Sequence, residues 1–514
     1  MTNGLKRAAL IAILCAGQVS IADNRERHVV LVVWDGMRPD FVTEQYAPAL
    51  SHLGKEGVIF RNHHSVYPTA TNVNGAVLAS GCYPNRNGIV ANLALETAIN
   101  PLQPVDTAEP NSIRRGDQVS GGKYVAVSTF VEQLRSAGKK VALVGSKSVT
   151  QLFDPKNNWT VVKTNKSLTA FAAASLDDSE RDSLTRLLGP FPNNPQATAK
   201  QRNDFATHTL IDFFWREGVP DFSLLWLSEP DLSQHNHAPG SPEGIAAIKA
   251  VDQNLAELTK ALDQKHVRDS TDLFVVSDHG FSTINRSIDV VDLLNKAGFR
   301  AAKEFSSSSL PGDVLVAGNA GSLLFYVNEH TPAVVRRLVE WLGQSDFAGI
   351  IFADGAKGTV PLAEAYIDAT AGKPDVAISF RWYSGKNHFG VPGLIDADWN
   401  RPAGEGTHAT LSPYDVHNTL IAAGPDLRRG FEDELPSGNV DLAPTILRLL
   451  GIAATHSFDG RELTEAYLEN QTSPTALKTA SVSGAKPIPG ATAPPWPLTI
   501  STVGDHKYID RANR

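Results

Sequence analysis

The chain runs to 514 residues, long enough for a sizeable core with more than one domain or large insertions, and this excludes a small disulfide scaffold. Its residues are 42% hydrophobic, 20% charged and 8% aromatic, with 40 Gly and 31 Pro, the profile of a loop-rich globular protein and not of a disordered chain or a multi-span membrane protein. A net charge of −8 supplies no global basic field for a nucleic-acid backbone, so a nucleic-acid scaffold role is disfavoured while a local basic pocket is not.

At the N-terminus, Lys6 and Arg7 precede an apolar run from Ala8 to Ala16, followed by Ser20 and Ala22 at an A-x-A-like spacing before Asp23. That order predicts a secretory signal peptide over residues 1–22. The run is too short to span a bilayer, and Cys15 follows Leu14 where a lipoprotein signal needs a small residue. The expected mature chain starts near Asp23, periplasmic or secreted and without a stable membrane anchor. Losing Cys15 leaves Cys82 alone, so an oxidising compartment brings no disulfide.

From there, short β-branched runs alternate with amphipathic stretches, the signature of a parallel sheet with crossover helices. Strands are predicted at His28 to Asp35, Val58 to His64, Lys140 to Gly145, Phe222 to Ser228, Leu273 to Ser277 and Thr419 to Ala423. Helices are predicted between them at Ala47 to Glu56, Ser128 to Ala137, Asp204 to Glu217, Ile245 to Leu262 and Val440 to Leu450. One large α/β domain follows, over 23–470. Insertions are expected near 93–123, polar and carrying Arg114 and Arg115, and near 299–399, carrying Trp382 and Tyr383. Residues 471–514 form a C-terminal extension, of which Gln471 to Pro497 is rich in Ser, Ala, Thr and Pro and reads as a linker or a chain laid over the surface.

In open α/β sheets the site forms at the carboxyl ends of the strands. Four such ends carry Asp and His: Trp34-Asp35-Gly36, Glu229-Pro230-Asp231 with His235 four residues on, Ser277-Asp278-His279-Gly280, and Gly404-Glu405-Gly406-Thr407-His408. Any one of them alone is commonly a turn former or a helix cap. Three carboxylates and three imidazoles together make two sets of hard and borderline ligands suited to zinc or manganese. A nucleophile candidate lies in Tyr67-Pro68-Thr69-Ala70-Thr71, where a Pro-bounded turn opens into the small residues Gly75 to Ala79. A hydroxyl there either caps a helix or becomes a nucleophile once a metal lowers its pKa.

Asp35, Tyr67-Pro68-Thr69-x-Thr71, Gly81-x-Tyr83-Pro84-x-x-x-Gly88-Ile89-x-x-Asn92, Glu229-Pro230-Asp231-x-x-x-His235, Asp278-His279-Gly280 and His408 occur in an order that resembles the alkaline phosphatase superfamily. Within it they look most like the type I phosphodiesterase/nucleotide pyrophosphatase branch, from about His28 to Leu450. The resemblance implies an alkaline-phosphatase-like α/β fold, with a mostly parallel central sheet flanked by helices and inserted cap segments. It also implies two divalent metal ions, zinc in the first instance: Asp231, His235 and His408 would hold one, and Asp35, Asp278, His279 and the Thr71 oxygen the other. Thr71 would attack phosphorus in line to give a covalent phospho-threonine, and Asn92 with the Thr71 backbone N–H would bind a non-bridging oxygen.

The activity so implied is hydrolysis of a small-molecule phosphate diester or pyrophosphate. Nucleotide-hydrolysing relatives carry Phe after the nucleophile to stack the base, whereas here the residue is Asn72. Thr71-Asn72-Val73-Asn74 also resembles phosphonoacetate hydrolases, which read a substrate carboxylate with lysines after a strand. Lys147, after the strand ending at Gly145, is the candidate for that role and for the extra charge of a monoester, with Arg114 and Arg115 as the other local cations. A phosphonate or phosphomonoester hydrolase is therefore the alternative. A non-catalytic binding protein would lack a ligand, and none is missing.

Cys82-Tyr83-Pro84-Asn85-Arg86 matches the C-x-P-x-R core of sulfatases, but register decides against that chemistry. The sulfatase nucleophile stands ten residues before the turn glycine, and ten residues before Gly81 is Thr71. Cys82 is expected as a small buried apolar residue. His63, His64, His237 and His417 carry no assignment. Asp415 with His417 is expected as a turn pair, with support of His408 as the other reading.

Overall fold

The computed structural model describes residues 26–163, 169–174, 176–194, 196–470, 478–483 and 497–513. The segment read as a signal peptide, residues 1–22, and most of the Ser/Pro-rich stretch after residue 470 lie outside the described residues.

Nine strands form the central sheet: β1 (His28–Trp34), β2 (Val58–His64), β3 (Val141–Gly145), β4 (Trp159–Lys163), β5 (Thr169–Ala174), β6 (Phe222–Leu227), β7 (Thr271–Val276), β8 (Leu420–Ala423) and β9 (Phe431–Gly438). Their spatial order is β9-β2-β8-β7-β1-β6-β3-β5-β4. At the centre β7, β1, β6 and β3 are parallel, with Val33 opposite Trp226 on one side and Val276 on the other. β8 and β5 run against their neighbours, so the sheet is mixed, and β4, β5 and β9 escaped sequence detection.

β1 reads as an unbroken apolar run because it is covered on both faces. Alternation then divides it: Val29, Leu31 and Val33 join one core layer, and Val30, Val32 and Trp34 the other. The first layer packs α2 (Thr71–Ser80) and α5 (Leu442–Leu449). The second packs α1 (Pro48–Glu56) and α4 (Pro242–Gln264). Between these pairs, α3 (Asp231–His237) leaves the end of β6. The helix predicted over 204–217 begins earlier, at Ala199, capped by Thr198, and widens into a π-helical segment at Thr209–Phe214.

The segment near 299–399 folds into a second, five-stranded sheet containing Val314–Asn319, Ser322–Val327, Ala348–Ala353 and Val376–Phe380, backed by the helix Pro332–Gln344. A four-stranded sheet ties this insertion to the strand ends: Ser282–Ser287 pairs with Pro392–Ala397, and Ser282 and Thr283 face Thr407 and Gly406. Within the C-terminal extension, Lys478–Ser483, Pro497–Val503 and His506–Ala512 form an antiparallel sheet. The last strand reaches the main body, since the Ala512 N–H donates to the Leu411 carbonyl at 3.1 Å.

Candidate active site

The residues singled out at four strand ends converge. Asp35 directly follows β1, Asp231 opens α3 beyond β6, Asp278 and His279 follow β7, and His408 leaves the short strand Gly406–Thr407. Gly36 makes the first turn possible. Its φ is +71°, and a Cβ there would stand 3.0 Å from the Phe281 ring and 3.1 Å from the Asp231 Cβ. The turn aims the Gly36 N–H at Asp278 Oδ1, 3.0 Å away, while the Asp231 N–H donates to the Asp35 carbonyl at 3.0 Å.

Two donor sets result. In the first, Asp231 Oδ1 lies 3.2 Å from His235 Nε2 and 3.5 Å from His408 Nε2. In the second, His279 Nε2 lies 3.2 Å from Asp278 Oδ2 and 3.6 Å from Asp35 Oδ1. The rings of His279 and His408 stack at 3.6 Å and join the sets. Thr71 opens α2, and its hydroxyl donates to His279 Nε2 at 3.2 Å.

Each imidazole is oriented by a backbone carbonyl: His235 Nδ1 meets the Gly406 carbonyl at 3.0 Å, His279 Nδ1 that of Gly280 at 2.9 Å, and His408 Nδ1 that of Thr69 at 2.8 Å. A carbonyl only accepts, so the proton sits on Nδ1 and Nε2 faces the carboxylates. Each carboxylate is likewise held by one oxygen. Asp35 Oδ2 accepts from Trp226 Nε1 at 2.8 Å and lies 2.9 Å from Lys147 Nζ; Asp231 Oδ2 takes the same ammonium at 2.7 Å. The other oxygens, Asp35 Oδ1, Asp231 Oδ1 and Asp278 Oδ2, are buried with no hydrogen-bond partner.

That pattern fits divalent cations. Donors set tetrahedrally about zinc at 2.0–2.2 Å stand roughly 3.3–3.6 Å apart, close to the spacings within both sets. Burial, then the charge of Asp278, pushes the Asp35 carboxyl well above its ordinary range. Burial, then His279 and His235, pushes His408 well below its own. Buried negative charge this concentrated, with Lys147 beside two of the three carboxylates, calls for positive charge at the orphaned oxygens.

Asn92 accepts the Asn72 N–H through Oδ1 at 2.8 Å, which turns its amide Nδ2 outward as a donor. The Asn72 side chain donates to Asp106 Oδ1 at 2.8 Å and Thr107 Oγ1 at 3.1 Å, tying the inserted 93–123 segment to the head of α2. Lys147, three residues beyond the buried strand residue Val144, is itself held by Asp35 and Asp231. Arg114 and Arg115 are exposed on the helix Pro110–Ser120. Cys82 is buried just past the far end of α2, about 15 Å of helix from Thr71.

His237 is exposed and outside both donor sets. His63 holds Ser437 Oγ at 2.9 Å and Asn439 Oδ1 at 3.0 Å, and burial pushes it down to about 3. Asp415 reaches beyond its own turn, accepting from Ser282 Oγ at 2.5 Å and the Thr410 N–H at 3.1 Å, which braces the loop after His408. Sequence reasoning missed Trp226, an indole inside an apolar strand that reads as core, and Asn439, which donates to the Asp278 carbonyl at 2.8 Å.

The family model for type I phosphodiesterase / nucleotide pyrophosphatase matches residues 29–368. The chain is 22% identical over 439 residues to ectonucleotide pyrophosphatase/phosphodiesterase family member 7 of Homo sapiens, covering 85% of this chain and 82% of that one. It is 24% identical over 314 residues to the Mus musculus member 7, spanning 62% of that protein's length. With venom phosphodiesterase 2 of Crotalus adamanteus the identity is 24% over 264 residues, half of this chain and 27% of the other. Among solved structures, human ectonucleotide pyrophosphatase/phosphodiesterase 5 superposes with a TM-score of 0.59 at 18% identity, covering 86% of this chain and 100% of that one, which is a likeness of fold.

Proposed function

Because the chain belongs to the type I phosphodiesterase / nucleotide pyrophosphatase family, we propose that it hydrolyses a phosphate diester or pyrophosphate of a small molecule through a covalent phospho-threonine on Thr71. The observation that carries this reading is the position of the Thr71 hydroxyl, at the head of α2 and 3.2 Å from His279 Nε2, beside both donor sets.

Asp231, His235 and His408 would hold one divalent ion, and Asp35, Asp278 and His279, with Thr71, the other; zinc suits both sets. When bound, two such ions offset charge on the entering and leaving oxygens. Thr71 Oγ1 forms its bond to phosphorus as the leaving oxygen departs on the opposite side, and water then cleaves the phospho-threonine, freeing phosphate monoester and Thr71. Asn92 Nδ2 and the Thr71 N–H, which as the first of α2 has no partner within the helix, would face a non-bridging oxygen. Lys147 fixes Asp35 and Asp231 relative to each other.

A second reading, a phosphonate or phosphomonoester hydrolase, draws on Asn72: its amide is engaged by Asp106 and Thr107 and offers no ring to stack a base. In that reading Lys147 meets the added substrate charge. We further assign residues 1–22 to a signal peptide removed on export, 23–470 to the catalytic domain and 471–514 to an extension. No helix among the described residues is long and apolar enough to cross a membrane.

The test is Thr71→Ala. Turnover of bis-p-nitrophenyl phosphate falls to background while the melting temperature stays within a few degrees, and Thr71→Ser keeps partial activity because the attacking oxygen survives. Full activity in Thr71→Ala overturns the mechanism.

A further inference from the structure

We propose that His64, His417 and Asp510 form a third zinc site, structural in role, that fastens the C-terminal strand to the turn preceding Thr71.

The three donors come from three remote parts of the chain: the end of β2, the turn before β8, and the strand His506–Ala512. Their ligand atoms all lie within 4.8 Å of one another, the same relation found in the two catalytic sets. His64 is oriented as those ligands are, since its Nδ1 meets the Ser437 carbonyl at 2.9 Å and its Nε2 faces Asp510 Oδ1 at 2.8 Å. The His417 ring lies 4.6 Å from the His64 ring, and the Tyr508 ring stacks on His64 at 5.6 Å. Ser501 Oγ fixes Asp510, donating to it at 2.9 Å.

Two imidazoles and one carboxylate are borderline donors of the kind zinc takes, with water completing four-coordination. Asp510 is 14% exposed, which gives an ion a way in from solvent. The 2.8 Å contact is hydrogen-bond length, so a proton and a cation compete for it, and opening it by roughly half an ångström reaches the spacing of tetrahedral zinc donors. The site would do mechanical work. His64 ends the strand that runs directly into Tyr67-Pro68-Thr69-Ala70-Thr71, and Asp510 lies two residues from the Ala512 N–H that holds Leu411, itself three residues past His408.

The experiment counts zinc. Protein saturated with zinc chloride and freed of loose metal by gel filtration is measured by inductively coupled plasma mass spectrometry. The parent should hold three equivalents, and Asp510→Ala and His417→Gln should each hold two. Asp510 is the solvent-side donor, so its removal leaves the core intact, and circular dichroism verifies the fold. The parent's melting temperature should also rise with added zinc by more than that of Asp510→Ala. Equal zinc content in the parent and in Asp510→Ala, at any value, would overturn the site and leave a hydrogen-bonded imidazole–carboxylate cluster. Parent turnover tests the catalytic reading and the zinc count of Asp510→Ala tests this one, so neither result decides the other.

Discussion

Asn92 and Lys147 are expected to fail differently. The Asn72 N–H fixes one end of the Asn92 amide, so its Nδ2 is a donor oriented before substrate arrives. Asn92→Ala should lower kcat by roughly 10²–10³-fold, about 2.7–4 kcal/mol in the transition state, if it acts on charge that develops there. An unchanged kcat with a raised KM would instead make it a binding group only. Lys147 touches one carboxylate of each donor set, at 2.9 and 2.7 Å. Lys147→Ala should therefore cost about 10–100-fold on bis-p-nitrophenyl phosphate and p-nitrophenyl phosphate alike, as loss of a brace behind metal ligands does. A loss confined to the monoester, or to a carboxylated phosphonate, would make Lys147 a reader of substrate charge and favour the second reading.

At the scale of elements, the inserted segment after Asn92 carries a buried acid the chemistry does not use. Burial pushes Glu96 up to about 7. Its folded value lies above the unfolded one, so its contribution to stability is full below the ordinary carboxylate range and is lost as pH rises through 7. The melting temperature of metal-free protein should drop between pH 5 and 8, and Glu96→Gln should flatten that drop; an identical slope in the variant would show that the carboxyl does not titrate with folding. The predicted elements near the site were legible because they obey local rules. β1, β6 and β7 are apolar runs followed at once or after one Ser by Asp35, Glu229-Pro230-Asp231 and Asp278, β2 starts apolar at Val58-Ile59-Phe60, and α2 follows a Pro-bounded turn. β9, with the sequence Phe-Glu-Asp-Glu-Leu-Pro-Ser-Gly, was not legible, because an edge strand half exposed to solvent carries charge and proline in place of an apolar run. The partners of the donors were hidden for another reason. Three of the contacts that orient histidines end on backbone carbonyls, of Thr69, Gly280 and Gly406, and a carbonyl has no letter in a sequence.

For the whole molecule, chelation should abolish turnover and zinc should restore it, with Asp231→Asn and Asp278→Asn each lowering metal content because a neutral amide is a poorer partner for a divalent ion. Fewer than two equivalents in fully active protein would contradict the assignment of the two donor sets. Asp35 and His408 are 373 positions apart in the sequence, and the loop behind His408 is pinned at Leu411 by Ala512. Synthesis proceeds from the N-terminus at about 5–20 residues per second, so α2 exists long before the contact that steadies the loop behind His408. A chain extended past His408 but still short of residue 512 therefore carries all seven proposed site residues without the Ala512 contact behind His408, and a truncation anywhere between those two positions would leave it in that state.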